Sequence, residues 1–342
     1  MEPDQLRLYG ELYRLVRGYQ VTPIVYVAAE LGIADLLRDG AQSSAELAAA
    51  THTDASALAR LLRALTALGL LHEGDDHRFS LTPLGECLRE DSPLHGRAMV
   101  RWLGGENMWR TWGDQLHSVR TGQSAFSHIF IMSNVFDYYA KHPELEEIMS
   151  GGFAAQTLYF AAAITEVYDF STFEKLADVG GGRGALLATI LRANPQLHGI
   201  LFDLPHVVLA AVGLLEQAGI TNRCQAVSGD MFESVPAGAD GYILSRVIHD
   251  WDDEKSIAIL TSCRAAMRSG SRLLLIERVL PARATPSVEN EGRFLGDINM
   301  LVRTGGRERT VDQYKALLSA AGLRLVRVIP TPTDISVVEA MP

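Results

Sequence analysis

Leu176-Ala-Asp-Val-Gly-Gly-Gly-Arg-Gly-Ala-Leu186 is the stretch from which the rest of the chain can be read. Lys175 to Val179 reads as a short buried strand. Gly180, Gly181, Gly182 and Gly184 follow, and Ala185 to Ala193 reads as a helix closed by Asn194-Pro195. Strand, glycine turn and helix open a βαβ unit. Glycines allow positive φ and let a ligand approach the main chain. The helix start points free N–H groups at whatever sits there. The next strand, His198 to Asp203, ends in an acid. Asp203 lies about 20 residues past the glycines, where a carboxylate can accept hydrogen bonds from two ribose hydroxyls. Gly180-x-Gly182-x-x-Ala185 satisfies the loose dinucleotide fingerprint. An adenosyl ligand without phosphates fits equally well, and a tight turn with no ligand stays open at this point.

Downstream, strand and helix keep alternating. Val207 to Ala218 reads as a helix, Cys224 to Gly229 as a strand followed by Asp230, and Gly241 to Ser245 as the fourth strand. Asp252 to Met267 is a helix and Arg272 to Glu277 the fifth strand. That pattern predicts an α/β sheet with right-handed crossovers. After a helix over Thr310 to Ala321, Leu323 to Ile329 and Ile335 to Glu339 read as two successive strands. They imply an antiparallel hairpin at the sheet edge, which a plain dinucleotide domain does not need.

Upstream the pattern is helical. Leu6, Leu8, Leu12, Leu15 and Val16 recur at helical spacing, and Val21 to Leu37 continues it with Gly32 inside. Ser43-Ser44-Ala-Glu46 is a capping box. Thr53-Asp54 caps a helix over Ala55 to Leu68. Leu70 to Ser80 reads as two short strands, and Thr82-Pro83-Leu84-Gly85 opens a further helix. Three helices and a hairpin predict a winged helix. A DNA-reading version needs basic residues on its recognition helix and wing. Here the helix offers Arg60 and Arg63, and the hairpin offers Glu73, Asp75 and Asp76 against Arg78. Self-association is therefore the expected use of this shape, giving a homodimer. The expected division is 1–100 as a winged-helix-like dimerisation domain, 101–170 as an aromatic-rich helical linker and pocket region, and 171–342 as the catalytic domain.

Composition supports a globular chain of two domains: 342 residues, 47% hydrophobic and 21% charged. Thirty-one basic residues face 41 acidic ones, a net charge of −10, which argues against nucleic-acid affinity. Cys87, Cys224 and Cys263 are far apart and fit neither a disulfide framework nor a zinc site. The opening Met-Glu-Pro-Asp-Gln shows no leader pattern, and no apolar run is long enough to span a membrane. A cytoplasmic protein with reduced thiols and no membrane partner is expected.

In an open α/β sheet, ligands sit beyond the carboxyl ends of the strands. Gly180 to Gly184, Asp203, Asp230 with Met231, Ser245 to Asp250, and Glu277 all fall there. If the fourth and fifth strands are neighbours, His249 and Glu277 face each other. A His beside a carboxylate that fixes its tautomer is a general base.

Five motifs stand in order: Leu176-Ala-Asp-Val-Gly-Gly-Gly-Arg-Gly, Phe202-Asp-Leu-Pro205, Gly229-Asp-Met-Phe232, His249-Asp-Trp-Asp-Asp253 and Gly305-Gly-Arg-Glu-Arg-Thr310. Together they resemble the small-molecule O-methyltransferases typified by caffeate and isoflavone enzymes of plants and polyketide-tailoring enzymes of bacteria. The resemblance covers nearly the whole chain. It implies a Rossmann-like class I methyltransferase domain, S-adenosylmethionine as methyl donor, S-adenosylhomocysteine as product, and no metal. Gly180 and Gly182 would hold the methionine and ribose part, Asp203 the ribose and Leu204 the adenine. Asp230 and Met231 would contact the adenine. Ser245 stands where plant members carry Lys, and Ser245-Arg246 looks more bacterial than plant. His249 would be the base, flanked by Glu277 and Glu308. Asp297-Ile-Asn-Met300 matches a pocket-lining helix, so Asn299 and Met300, with Met149, Phe153 and Asp250, would touch the acceptor, an aromatic small molecule.

The physics fits methyl transfer. A phenol with a pKa of about 10 needs little more than a His poised near neutrality. No cluster of metal-type ligands is visible in the sequence outside this site. Other classes fit parts of the chain. A dehydrogenase using NAD needs pyrophosphate space, and the terminal hairpin argues against it. A winged-helix regulator is opposed by the acidic wing. Within the resemblance, N- or C-methylation and loss of methyl transfer stay open.

Overall fold

The computed structural model describes residues 3–132 and 134–342. By packing, the chain separates into two units, Met1–Trp109 with Glu144–Ala155, and Arg110–Pro143 with Gln156–Pro342. The stretch 101–170, expected as a region of its own, is thus shared between the two. The helix Pro143–Val167 contributes residues to both.

The first unit is mainly helical. Its long helices are Pro3–Val16, Val21–Glu30, Ser44–Thr51, Ala55–Ala67 and Gly96–Gly104. Gln42–Ser43 (β1), Leu71–Glu73 (β2) and Arg78–Leu81 (β3) form a small antiparallel sheet in the order β1-β3-β2. Ser43 accepts from the Glu46 N–H, while Glu46 accepts from the Ser43 N–H, the reciprocal cap read in the sequence. Asp54 caps Ala55–Ala67 at 2.7 Å from the Ala57 nitrogen, and Leu58, Leu62 and Leu65 turn inward. This is the winged-helix arrangement. The helix expected over Val21 to Leu37 breaks at Gly32, whose φ of +64° takes the chain out of the right-handed helix. The helix expected after Thr82-Pro83 is only a 3-10 turn, Gly85–Leu88. Gly85 lies so close to the chain that an added Cβ would stand 2.1 Å from the Leu70 carbonyl oxygen.

The second unit holds the large sheet. Its strands are Lys175–Val179 (β4), His198–Asp203 (β5), Cys224–Ser228 (β6), Gly241–Ser245 (β7), Arg272–Leu280 (β8), Arg309–Thr310 (β9), Arg324–Pro330 (β10) and Ile335–Met341 (β11). Their order is β10-β11-β8-β7-β4-β5-β6, with β9 pairing the end of β8. The β4, β5, β6, β7 and β8 pairings are parallel, and β10-β11-β8 is antiparallel. Leu176, Ala177 and Val179 of β4 and Tyr242, Ile243 and Leu244 of β7 are sealed from solvent, as strands covered on both faces require. The order changes direction on either side of β4, which opens a crevice above the carboxyl ends. Among the described residues, no helix is long and apolar enough to cross a membrane.

Candidate active site

The glycine turn stands at the end of β4. Gly180, Gly182 and Gly184 all have positive φ, +69°, +58° and +82°, and Gly184 is the N-cap of Ala185–Ala193. The space around Gly182 is open, whereas a Cβ on Gly181 would stand 2.5 Å from Leu201 and 2.8 Å from Asp178. Asp203 reaches back under the turn: Oδ2 accepts from the Gly182 N–H at 2.8 Å and Oδ1 from the Leu204 N–H at 2.7 Å. Burial raises the Asp203 pKa, offset in part by these two N–H groups. Leu204 is 40% exposed beside it. Asp230 accepts from the Phe232 N–H, and the Met231 sulfur lies by Gly180. Ser245 ends β7. Arg246 follows with a φ of +56°, its guanidinium over the Phe160 ring at 5.6 Å. Burial, then the neighbouring Arg278, pushes Arg246 down to about 10.

The second centre stands at the ends of β7 and β8, which are neighbours. His249 is 3% exposed, on the 3-10 turn Ile248–Asp250. Its Nδ1 is 3.0 Å from Glu308 Oε1 and 3.4 Å from Glu277 Oε2. Sequence reasoning gave Glu277 the part of orienting the ring. In the structure Glu308 makes the hydrogen bond to His249. Glu277 Oε1 instead accepts from the Val247 and Ile248 N–H groups at 3.1 and 2.9 Å. Glu277 therefore braces the loop, and Glu308 holds the ring.

The electrostatics also differ from expectation. Burial works against a charge on His249, but Glu308, Glu277 and Asp250 outweigh it and push the pKa up to about 9. The ring is not poised near neutrality. Burial pushes Glu277 up to about 7, even though His249 pulls it down. Burial likewise opposes ionisation of Glu308, yet His249 and then Arg278 hold it below the usual carboxylate value. Burial raises Asp250, against the pull of His249, Arg246 and Arg303.

Three residues without an assigned role stand at these two centres, two beside His249 and one beneath the glycine turn. Arg309, 1% exposed, donates to the Ile248 and Trp251 carbonyls at 3.0 and 2.8 Å and pairs with Asp253. It clamps both flanks of the His249 turn. Gly306 is needed because a Cβ there would stand 2.1 Å from the His249 carbonyl oxygen. Arg307 then donates its N–H to that oxygen at 2.9 Å. Both Gly306 and Arg309 stand inside the quoted Gly305–Thr310 motif, so the signal was present. Asp178 is the third: it is 1% exposed, and both oxygens lack a hydrogen-bond partner among the described residues. Burial, then Asp203, pushes it up to about 7.

Of the acceptor candidates, Asp250 adjoins His249. Asn299 and Met300 lie on the helix Val288–Arg303, with Asn299 Oδ1 accepting from Trp112 Nε1 at 3.1 Å. Met149 and Phe153 fall in the first unit, where Phe153 packs on Trp102 with ring centroids 4.4 Å apart. The expectation that no other ligand-type cluster exists is corrected. Asp114, His117 and His128 bring one ligand-type atom each within 4.8 Å of one another, as do His249, Glu277 and Glu308. The first of these escapes a reading of spacing because His128 meets Asp114 only through the fold between Gln115–Thr121 and Ala125–Phe130.

Comparison with known proteins agrees with this architecture. Residues 109–324 match the O-methyltransferase domain, and residues 13–91 match the O-methyltransferase dimerisation domain. The phenazine O-methyltransferase PhzM of Lysobacter antibioticus is 45% identical, covering 97% of this chain and 95% of its own. The 8-amino-8-demethylriboflavin N,N-dimethyltransferase of Streptomyces davaonensis is 34% identical, covering 96% and 94%. The solved structure of human N-acetylserotonin methyltransferase in complex with SAM (S-adenosylmethionine) is similar with a TM-score of 0.91 at 27% identity, covering 100% of this chain and 99% of its own. A glycine turn over an acid-ended second strand, a buried His hydrogen-bonded to Glu308 and a matching dimerisation domain thus come together in one chain, which belongs to the O-methyltransferase family.

Proposed function

We propose that this enzyme transfers a methyl group from S-adenosylmethionine to a hydroxyl of an aromatic small molecule, with His249 as the base, and that it works as a homodimer. The observation that carries the reading is the Nδ1 contact of His249 with Glu308 at 3.0 Å. With Nδ1–H given to the carboxylate, Nε2 keeps its lone pair for the acceptor.

The residues at the glycine turn fit the donor. The open space at Gly182, the positive φ values and the two Asp203 oxygens suit a ribose and the chain attached to it. Leu204 and Met231 offer apolar surface for adenine, with Asp230 beside it, and Ser245 and Arg246 close the far side. S-adenosylmethionine, when bound, supplies an already activated methyl and leaves as S-adenosylhomocysteine. What the chain adds is alignment, exclusion of water and removal of the acceptor proton. His249 Nε2 takes that proton, and the Glu308 carboxylate steadies the imidazolium. Glu277 and Arg309 keep the turn that carries His249 from shifting. We read the cluster as proton-handling rather than metal-binding, because the Arg278 guanidinium already stands 3.4 Å from Glu308.

The similarity to a phenazine enzyme supports a fused-ring phenol as acceptor, with Asn299, Met300 and Asp250 as its contacts. The similarity to an N,N-dimethyltransferase keeps N-methylation as a second reading, since a neutral amine needs no base. The exposed apolar helix at the start and the matched dimerisation domain support the homodimer. Net charge, and the pairing of Arg63 with Glu73 across helix and wing, support a chain without nucleic-acid partners.

A labelled-methyl assay tests this. Purified protein is incubated with methyl-labelled S-adenosylmethionine and paired hydroxy- and amino-substituted phenazines, naphthalenes and benzenes, and the labelled products are identified by mass spectrometry. Label on a hydroxyl oxygen is expected. Label only on nitrogen or carbon overturns the O-transfer reading.

A further inference from the structure

We propose that Arg303 is an anion anchor for the acceptor, so that the preferred substrate is an aromatic hydroxy acid whose ring carboxylate it binds. This rests on the methyl-transfer reading for its context, but its own evidence is separate.

Arg303 ends the helix Val288–Arg303 and is only 5% exposed. A buried guanidinium is normally matched by a carboxylate. Here none of the described carboxylates lies within ion-pair distance. The Nη1 nitrogen is buried without a hydrogen-bond partner among the described residues. The other partners are neutral: Nη2 donates to the Tyr139 hydroxyl at 3.3 Å, and the cation lies over the Phe126 and Tyr139 rings at 5.3 and 5.9 Å. Rings soften the desolvation of a guanidinium, but they do not use its in-plane donors.

The position points to the acceptor. Asn299 is four residues earlier, so the two side chains lie on the same face of the helix, one turn apart. The helix end is pinned from outside by Ser124, whose hydroxyl donates to the Val302 and Arg303 carbonyls at 3.2 and 2.9 Å. Arg303 is also close enough to Asp250, next to the proposed base, to favour that carboxylate's charged form. A cation on the face of the acceptor helix, within electrostatic reach of the catalytic turn and short of a counter-charge, is a receptor for an anion. The planar fork of guanidinium matches a carboxylate with two parallel N–H···O bonds.

The test uses matched pairs that differ only in a ring carboxylate, 2-naphthol against 6-hydroxy-2-naphthoate and phenol against 4-hydroxybenzoate. Binding to the full-length protein loaded with S-adenosylhomocysteine is measured by calorimetry, which needs no turnover. The acid of at least one pair should bind about 10- to 100-fold more tightly than its neutral partner. Arg303→Met should remove most of that ratio, and Arg303→Lys should restore part of it. Retained binding of S-adenosylhomocysteine certifies each variant as folded. Absence of any acid preference in the wild type overturns the proposal, whatever becomes of the Met variant. A preference unchanged in both variants overturns it too. Loss of methyl transfer with the acid preference intact would count against the proposed function and leave the anchor standing.

Discussion

The two units of this chain break the usual distribution of side chains in opposite directions. The first puts large apolar residues outside: Leu8 and Leu12, on the helix Pro3–Val16, are 55% and 58% exposed. The second puts charges inside: Glu277, Glu308, Arg309, Asp178 and His249 are all 3% exposed or less. Neither is favourable for an isolated fold. Apolar surface left in water forgoes burial free energy, and ions taken out of water lose hydration. The matched dimerisation domain accounts for the first departure. The second is balanced largely within the chain, where Glu308 meets His249 and Arg278 and Arg309 meets Asp253.

The sharpest way to break this contrast is to empty its charged half. His249→Ala should lower turnover about 10²- to 10⁴-fold and leave S-adenosylhomocysteine binding near normal. The wild type should show kcat/KM rising with pH toward about 9, because His249 must lose its proton to act and its neighbours hold that proton tightly. In the alanine variant that limb should give way to the acceptor's own ionisation. Near-normal turnover in the variant would show that the buried charges serve stability rather than catalysis. The same shift has a stability consequence of definite sign. A raised His pKa stabilises the fold fully below about 6.5, the unfolded value, and that contribution is lost as pH rises through about 9.

A smaller effect should separate the two carboxylates. Glu308→Gln keeps the hydrogen-bonding shape but removes the charge nearest His249. The rising limb should move down by about one to two pH units, with the plateau falling roughly tenfold. Glu277→Gln should move the limb less, since its nearer oxygen, Oε2, stands 3.4 Å from Nδ1 against 3.0 Å for Glu308, and Oε1 is committed to the Val247 and Ile248 N–H groups. A pH–rate series on both variants decides this. Equal shifts, or none for Glu308→Gln, would put the orienting role elsewhere.

The smallest effect on chemistry is expected from the apolar half. Leu8→Glu with Leu12→Glu should convert a dimer to monomer in light scattering while the second unit keeps its folded near-ultraviolet signature. An obligate interface of this family's kind should bury more than about 2,000 Å², so two buried charges should be enough to open it. A variant that stays dimeric would move the interface away from this helix.

Much of this contrast was legible before any coordinates. The alternation of apolar strands with helices, the Ser43 and Asp54 caps, the glycine turn and Asp203 at a strand end are local signals, readable from short windows. The order of the edge hairpin followed from two successive strands with no helix between them. Other features escaped because they depend on approach rather than on sequence neighbourhood. Gly32 looked tolerable inside a helix, yet its positive φ ends one. Glu277 looked like the partner of His249 because β7 and β8 were expected to adjoin. They do adjoin, but Glu308, 59 residues away from His249, comes closer.

The sequence by itself determined which chemistry the chain carries and at which strand ends it stands. Residue type, glycine placement and hydrophobic period are properties of the chain alone. Only the tertiary structure decided which carboxylate holds the imidazole, how tightly that ring keeps its proton, and that Arg303 is buried with no carboxylate of the described residues in ion-pair distance. The reason is that burial and distance set those quantities, through desolvation and Coulomb interaction, and both arise only when segments far apart in the chain are packed against each other.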